Sequence, residues 1–189
     1  MPAELRGKTV GIVGMGAIGT EVARLAKAFG CRVLAIRRSA RERRHDCPPA
    51  DELLPLADLP YLLGESDYAV LATPLTSETR RLIGEAELRA MKPTAYIINI
   101  ARGGVIDEAA LVRALKEGWI AGAGLDVFER EPLPEESELW GMENVIMSPH
   151  ISGGTEIYNE RALDIFRENL GRYLDGRPLM NVVDPVRGY

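Results

Sequence analysis

The chain is poor in the residues that build stapled or metal-held folds. Two cysteines, Cys31 and Cys47, and two histidines, His45 and His150, stand among 189 residues. Two cysteines make no disulfide framework, so a reduced, cytoplasmic setting is the expectation. His45 and Cys47 flank Asp46, but no further ligands of matching spacing accompany them, so no metal is expected. No apolar run approaches the roughly 18 residues of a membrane span, and no signal-peptide pattern opens the chain. Excess positive charge is missing too. The net charge of −5 argues against nucleic acid as the main partner. We find neither an internal repeat nor a low-complexity segment.

What is present is an ordinary globular composition, 46% hydrophobic and 27% charged over 189 residues, enough for one domain with a real core. Short apolar runs alternate with helical stretches. Strands are expected at Thr9–Val13, Arg32–Ile36, Tyr68–Ala72, Ala95–Ile100, Gly122–Asp126 and Val145–Met147. Helices are expected at about 17–29, 58–65, 80–91, 108–117 and 155–175, while 38–60 and 129–142 read as loops. Runs such as AYIINI, with no polar alternation, suit strands buried on both faces. The alternation predicts an α/β fold: a single domain with a doubly wound, Rossmann-type parallel sheet. Asp107 stands where a helix N-cap is wanted and Gly118 where that helix ends. Pro93 stops the helix before it. Leu163, Phe166, Leu170 and Leu174 form one apolar stripe on the last helix.

The stretch VGIVGMGAIG carries Gly14, Gly16 and Gly19 in G-x-G-x-x-G spacing, after a strand and before a helix. In that setting the first glycine permits the tight turn, the second lets backbone approach a pyrophosphate, and the third packs helix on strand. The helix N-terminus, beginning with Ala17 and Ile18, offers free N–H groups and a positive dipole end. A dinucleotide site is expected here.

An NAD-selective site places Asp or Glu about 20 residues on, at the end of the second strand. Here Arg37 and Arg38 stand at that place, followed by Arg41, Arg43 and Arg44. A guanidinium fork there suits a 2′-phosphate and favours NADP over NAD. The later three arginines read as a solvated loop. No aromatic platform accompanies them to hold single-stranded nucleic acid.

Three polar signals follow at strand ends, the edge where open α/β sheets bind ligands. They are Arg102 in INIARGGVIDEAAL, Asp126 and Glu131 in GAGLDVFEREPLP, and His150 in NVIMSPHISGGT. Arginine binds carboxylate in fork geometry, and histidine moves a proton near neutral pH. A carboxylate partner favours protonated histidine. Beside a dinucleotide, this set points to hydride transfer to a carboxylated carbonyl. Taken singly, each residue also fits a structural role. Trp140 reads as packing.

Five segments in order, LRGKTVGIVGMGAIG, ATPLTSET, INIARGGVIDEAAL, GLDVFEREPLP and SPHISGGT, resemble the D-isomer-specific 2-hydroxyacid dehydrogenases. The resemblance covers essentially the whole chain. It implies that Arg102 binds the substrate carboxylate, His150 is the acid–base and Glu131 holds and polarises it. It further implies that Asp126 contacts the nicotinamide carboxamide. Thr73, Pro74, Thr79, Ile100, Ala101 and Gly153 would join the cofactor wall. Such enzymes carry a substrate-binding domain in front of this one, so a domain of about a hundred residues is expected to be missing before LRGKT. The stretch 176–189 reads as the family's returning tail, and a homodimer is the expected assembly. Glyoxylate or hydroxypyruvate is the expected substrate, with phosphoglycerate dehydrogenase as the rival reading. Little turnover is expected without the facing wall of the cleft. An NAD(P)H-sensing interaction module, like the corepressors that resemble this family, is the alternative from another class.

Overall fold

The order in which the strands pair is set by their apolar runs, which need cover on both faces. The computed structural model describes residues 4–185, and it falls into two compact units, Met1–His150 and Ile151–Tyr189. Positions 186–189 of the expected tail lie outside the described residues. In the first unit the strands are β1 (Thr9–Val13), β2 (Arg32–Ile36), β3 (Arg44–Cys47), β4 (Ala50–Leu54), β5 (Tyr68–Leu71), β6 (Tyr96–Asn99), β7 (Gly122–Leu125) and β8 (Val145–Met147). They form one sheet in the order β3-β4-β2-β1-β5-β6-β7-β8. All pairs are parallel except β3 with β4. The chain therefore leaves β1 in one direction and later returns on its other side, which creates the switch point of a doubly wound fold.

Strand alternation sends side chains to two cores. Val10, Ile12, Val33 and Ala35 meet Ala23 and Ala26 of α1 (Ala17–Ala28) on one face. On the other, Val13, Leu34, Leu71 and Ile97 meet Leu62 and Leu63 of α2 (Leu59–Glu65), Leu88 of α3 (Glu85–Ala90) and Leu111 of α4 (Glu108–Glu117). Asp107 accepts from the Ala110 N–H at 3.1 Å and Gly118 takes a left-handed backbone, so both ends of α4 form as expected. Pro93 follows the end of α3, with Met91 already extended.

Two expectations are corrected. The stretch 38–60 is not all loop: it holds β3, β4, a 3-10 turn at Leu56–Asp58 and the start of α2. Strand β4 hides because its buried positions alternate Ala50, Glu52, Leu54, with a carboxylate in the middle. That carboxylate is buried against the Arg32 guanidinium at 2.6 Å. The helix expected at 80–91 is only Glu85–Ala90. Ahead of it, Thr79 accepts from the Thr76 N–H at 2.8 Å and donates to the Pro74 carbonyl at 2.6 Å, which winds this segment into a turn. Glu87 then accepts from the Gly84 N–H at 3.0 Å and starts the helix late.

The second unit contains α5 (Tyr158–Leu174), which carries the expected Leu163, Phe166, Leu170 and Leu174. Its Asn169 holds the following chain by both ends of its amide, accepting from Met180 N–H at 2.8 Å and donating to Met180 C=O at 3.2 Å. No helix among the described residues is long and apolar enough to cross a membrane.

Leu62→Ala, at a fully buried position, should lower unfolding free energy by about 2–5 kcal/mol in urea denaturation. Removing the α4 cap with Asp107→Ala should cost about 1 kcal/mol in the same measurement.

Candidate active site

Every parallel strand ends on one edge, and the ladder continues one residue past each end. Ala72, Asp126 and Ser148 donate their N–H groups to the carbonyls of Val13, Asn99 and Leu125 at 2.9, 3.0 and 2.9 Å. The loops that carry the candidate side chains thus start from fixed points.

Gly14 and Met15 both donate to the Ile36 carbonyl, at 3.1 and 2.9 Å, so the glycine turn is fastened to the end of β2. Gly14 has φ +107°, and a Cβ there would stand 2.7 Å from the Ala72 carbonyl oxygen. A Cβ on Gly19 would stand 2.1 Å from the Gly14 oxygen, whereas one on Gly16 would meet nothing within 4 Å. The middle glycine therefore faces open space between two tightly packed ones. No side chain caps α1 and its first turn holds no acid. Its leading N–H groups, Ala17 and Ile18 among them, lack intrahelical partners and remain open to an anion. This cradle fits a pyrophosphate.

Arg37 and Arg38 stand exposed just past β2, and the Arg37 N–H is fixed to Leu54 C=O at 3.2 Å. Arg43 is committed elsewhere: it pairs with Asp58 at 2.7 Å and lies 4.1 Å over the Tyr61 ring. That part of the expected solvated loop is a salt-bridged surface. His45 lies 3.9 Å from Glu52, and among the described residues no group of three His, Cys, Asp or Glu could hold a metal.

Past β5 come Thr73 and Pro74, in the loop that the Thr79 hydroxyl ties together. Past β6, Ile100 and Ala101 lead into Arg102, whose Nη1 donates to the Ala101 carbonyl at 2.7 Å. Gly103 is pressed onto the next loop: a Cβ there would lie 1.8 Å from the Phe128 carbonyl oxygen. Asp126, buried at the end of β7, accepts from the Ser148 hydroxyl at 2.6 Å and from the His150 N–H, through its backbone carbonyl, at 2.8 Å.

The Glu131 carboxylate bridges the two remaining pieces. One oxygen accepts from the Phe128 N–H at 3.0 Å and the other meets His150 Nδ1 at 2.8 Å. Partial burial pushes the Glu131 carboxyl up, but the His150 ring, the Phe128 N–H and the Arg102 charge outweigh it and hold the group below the usual carboxylate range. With Nδ1 engaged, Nε2 is the ring nitrogen left for proton transfer. His150 itself has φ +55°, a left-handed backbone rare for a side-chain-bearing residue. Beside the pair lies a cavity of about 550 Å³ walled by Phe128, Leu133, Trp140 and Met147. Trp140 holds its place in that wall by donating to the Pro134 carbonyl at 2.8 Å. Gly153 belongs to the second unit, in the turn closed by Gly154 N–H on Ile151 C=O at 2.8 Å.

Three contributors escape a reading of the sequence. Asn99 is a buried amide inside an apolar run, Ser148 binds Asp126, and Gly103 joins two loops. Only Asn99 leaves a trace, as an amide at the end of AYIIN.

The sequence model described as the D-isomer specific 2-hydroxyacid dehydrogenase, NAD binding domain, matches residues 1–152. A glyoxylate reductase of Thermococcus gammatolerans is 50% identical over 175 residues, which are 92% of this chain and 50% of that protein. The solved structure of the NADPH-dependent glyoxylate/hydroxypyruvate reductase of Sinorhizobium meliloti, in complex with NADP and sulfate, superposes with a TM-score of 0.89 at 36% identity, covering 100% of this chain and 59% of that one. The D-isomer specific 2-hydroxyacid dehydrogenase of Lactobacillus delbrueckii ssp. bulgaricus, in an NAD-complexed form, gives 0.83 at 32% identity, covering 97% and 58%. The chain spans about half the length of the curated relatives it matches.

Because His150 is among the groups that depress Glu131, His150→Asn should raise the Glu131 titration toward the ordinary carboxylate range, read by carboxyl carbon NMR. The sign for stability follows: the contribution of Glu131 is present above the unfolded carboxyl pKa and fades as pH falls through the folded one. Gly103→Ala must spread two backbones and should cost about 1–3 kcal/mol in denaturant unfolding.

Proposed function

The chain belongs to the D-isomer specific 2-hydroxyacid dehydrogenase family as its NAD-binding domain, and from that premise we propose that it is the cofactor-holding and proton-relaying half of an NADP-preferring 2-keto acid reductase. The observation that carries the reading is the Glu131–His150 pair, 2.8 Å apart on the strand-end edge that also bears the glycine cradle. A bound nicotinamide dinucleotide supplies the hydride.

The chain's own residues do the rest. Glu131 orients the His150 ring through Nδ1 and stabilises its protonated form, so that Nε2 can deliver a proton to the carbonyl oxygen of the keto acid. In the opposite direction neutral Nε2 takes the hydroxyl proton. Arg102 forks onto the substrate carboxylate, leaving the Ala101 carbonyl it rests on. Buried Asp126, braced by Ser148, offers a carboxylate to the nicotinamide amide. Thr73, Pro74, Ile100 and Ala101 shape that side of the site, and Thr79 braces it through Pro74. The family resemblance also implies a cofactor contact for Gly153.

Arg37 and Arg38 support the NADP preference, since no acid stands at the end of β2 to repel a 2′-phosphate. The similarity to NADPH-dependent and glyoxylate-reducing proteins favours glyoxylate or hydroxypyruvate as substrate. Relatives about twice as long fit a cleft whose second wall comes from a further, substrate-binding domain. The chain alone would then hold cofactor but reduce keto acid poorly, because water reaches the reacting atoms.

Parallel fluorescence titrations with NADPH and NADH test this. NADPH should bind more tightly, and the preference should vanish in an Arg37→Asp/Arg38→Ala variant. Equal affinities in the unmodified chain would remove the phosphate assignment, and binding of neither would remove the cofactor-half reading. Brisk glyoxylate reduction by the chain alone would overturn the need for a second wall.

A further inference from the structure

We propose that Asn99 is a positioning residue for Arg102: its side-chain amide clasps the turn that carries the guanidinium and sets where that group starts. The inference rests on the reading of Arg102 as the carboxylate anchor.

Asn99 is the last residue of β6 and only 1% exposed. A buried amide is costly unless its donor and acceptor are both used. Both are used by one turn. Its oxygen accepts from the Ala101 N–H at 3.1 Å, and its NH₂ donates to the Arg102 carbonyl at 3.1 Å. An N–H on one side and a C=O on the other allow a single orientation of the amide. The backbone of Asn99 is immobilised by the sheet, where it registers with Leu71 of β5 and Leu125 of β7 and its carbonyl accepts from the Asp126 N–H at 3.0 Å. The side chain thus transmits the position of a central strand to the turn beyond it.

Between the two peptides that Asn99 holds lies the Ala101 carbonyl, and onto this carbonyl Arg102 Nη1 folds at 2.7 Å. The guanidinium is therefore parked by a clasped turn, with Gly103 immediately after it pressed on Phe128. The Asn99 amide meets both demands at neutral pH. An ionised carboxylate would turn an acceptor toward the Arg102 carbonyl, whereas a protonated carboxyl again offers one donor and one acceptor. Asn99→Asp is therefore a lesion that protonation repairs, and a role in packing alone predicts no such repair.

The test uses the nitrogen-15-labelled chain saturated with NADPH, following the Ala101 and Arg102 amide signals and the Arg102 Nε–H. Oxamate, a carboxylated analogue of a 2-keto acid, is the probe, and each variant is compared with the unmodified chain at the same pH. At pH 8, Asn99→Asp should displace the turn signals and weaken oxamate binding by roughly tenfold. At pH 5 both should return toward the unmodified chain, because burial at this position pushes the introduced carboxyl up. Asn99→Leu should show the lesion at both pH values, with the β1 and β2 signals unmoved in either variant. Unchanged turn signals in Asn99→Asp at pH 8 would overturn the proposal, as would a lesion that spreads through the sheet and does not recover at pH 5. Should oxamate leave the Arg102 signal of the unmodified chain in place, the anchor reading fails, and the turn signals alone still decide the clasp.

Discussion

Parallel pairing of β1 with strands on both sides is the constraint on which the rest depends. Val13 registers with Ile36 on one flank and Leu71 on the other, so three chain segments leave the sheet side by side. The glycine turn, the arginines after β2 and the Thr73–Pro74 loop become neighbours for that reason alone. Because the same direction is kept through β6, β7 and β8, Arg102, Asp126 and His150 emerge on the same edge. The binding edge is a consequence of strand direction, and residues far apart in the chain need no contact with one another to arrive there.

Arrival is refined by backbone groups more than by side-chain pairs. Phe128 is the meeting point: its carbonyl abuts Gly103 and its N–H holds Glu131. A single peptide stretch thereby links the turn of Arg102 to the carboxylate that bonds His150. Backbone dipoles are rigid and cost no rotamer freedom, which suits a site that must be organised before a ligand enters.

The sequence states some of this plainly and hides the rest for identifiable reasons. TVGIV followed by three spaced glycines is legible because strand burial and a tight turn leave local traces. Asp107 and Gly118 are legible because helix ends are local too. Strand β4 is not, since its buried Glu52 is neutralised by Arg32 from another strand, a match no local window contains. The short α3 is hidden by the Thr79 hydroxyl, which turns the chain ahead of it. In the site, Arg102, Glu131 and His150 are visible as residues at strand ends, but their pairing is visible only through family resemblance. Gly103 is silent, because its neighbour Phe128 is known only once β6 is known to lie beside β7.

The left-handed backbone of His150 carries an energetic consequence. Glycine accepts φ +55° without penalty, and asparagine or aspartate accepts it more readily than most side chains. Replacement of His150 by any of these residues would therefore relieve local strain. Folding stability alone therefore does not favour a histidine at this position. The strained backbone at His150 is a cost that some demand other than folding must offset.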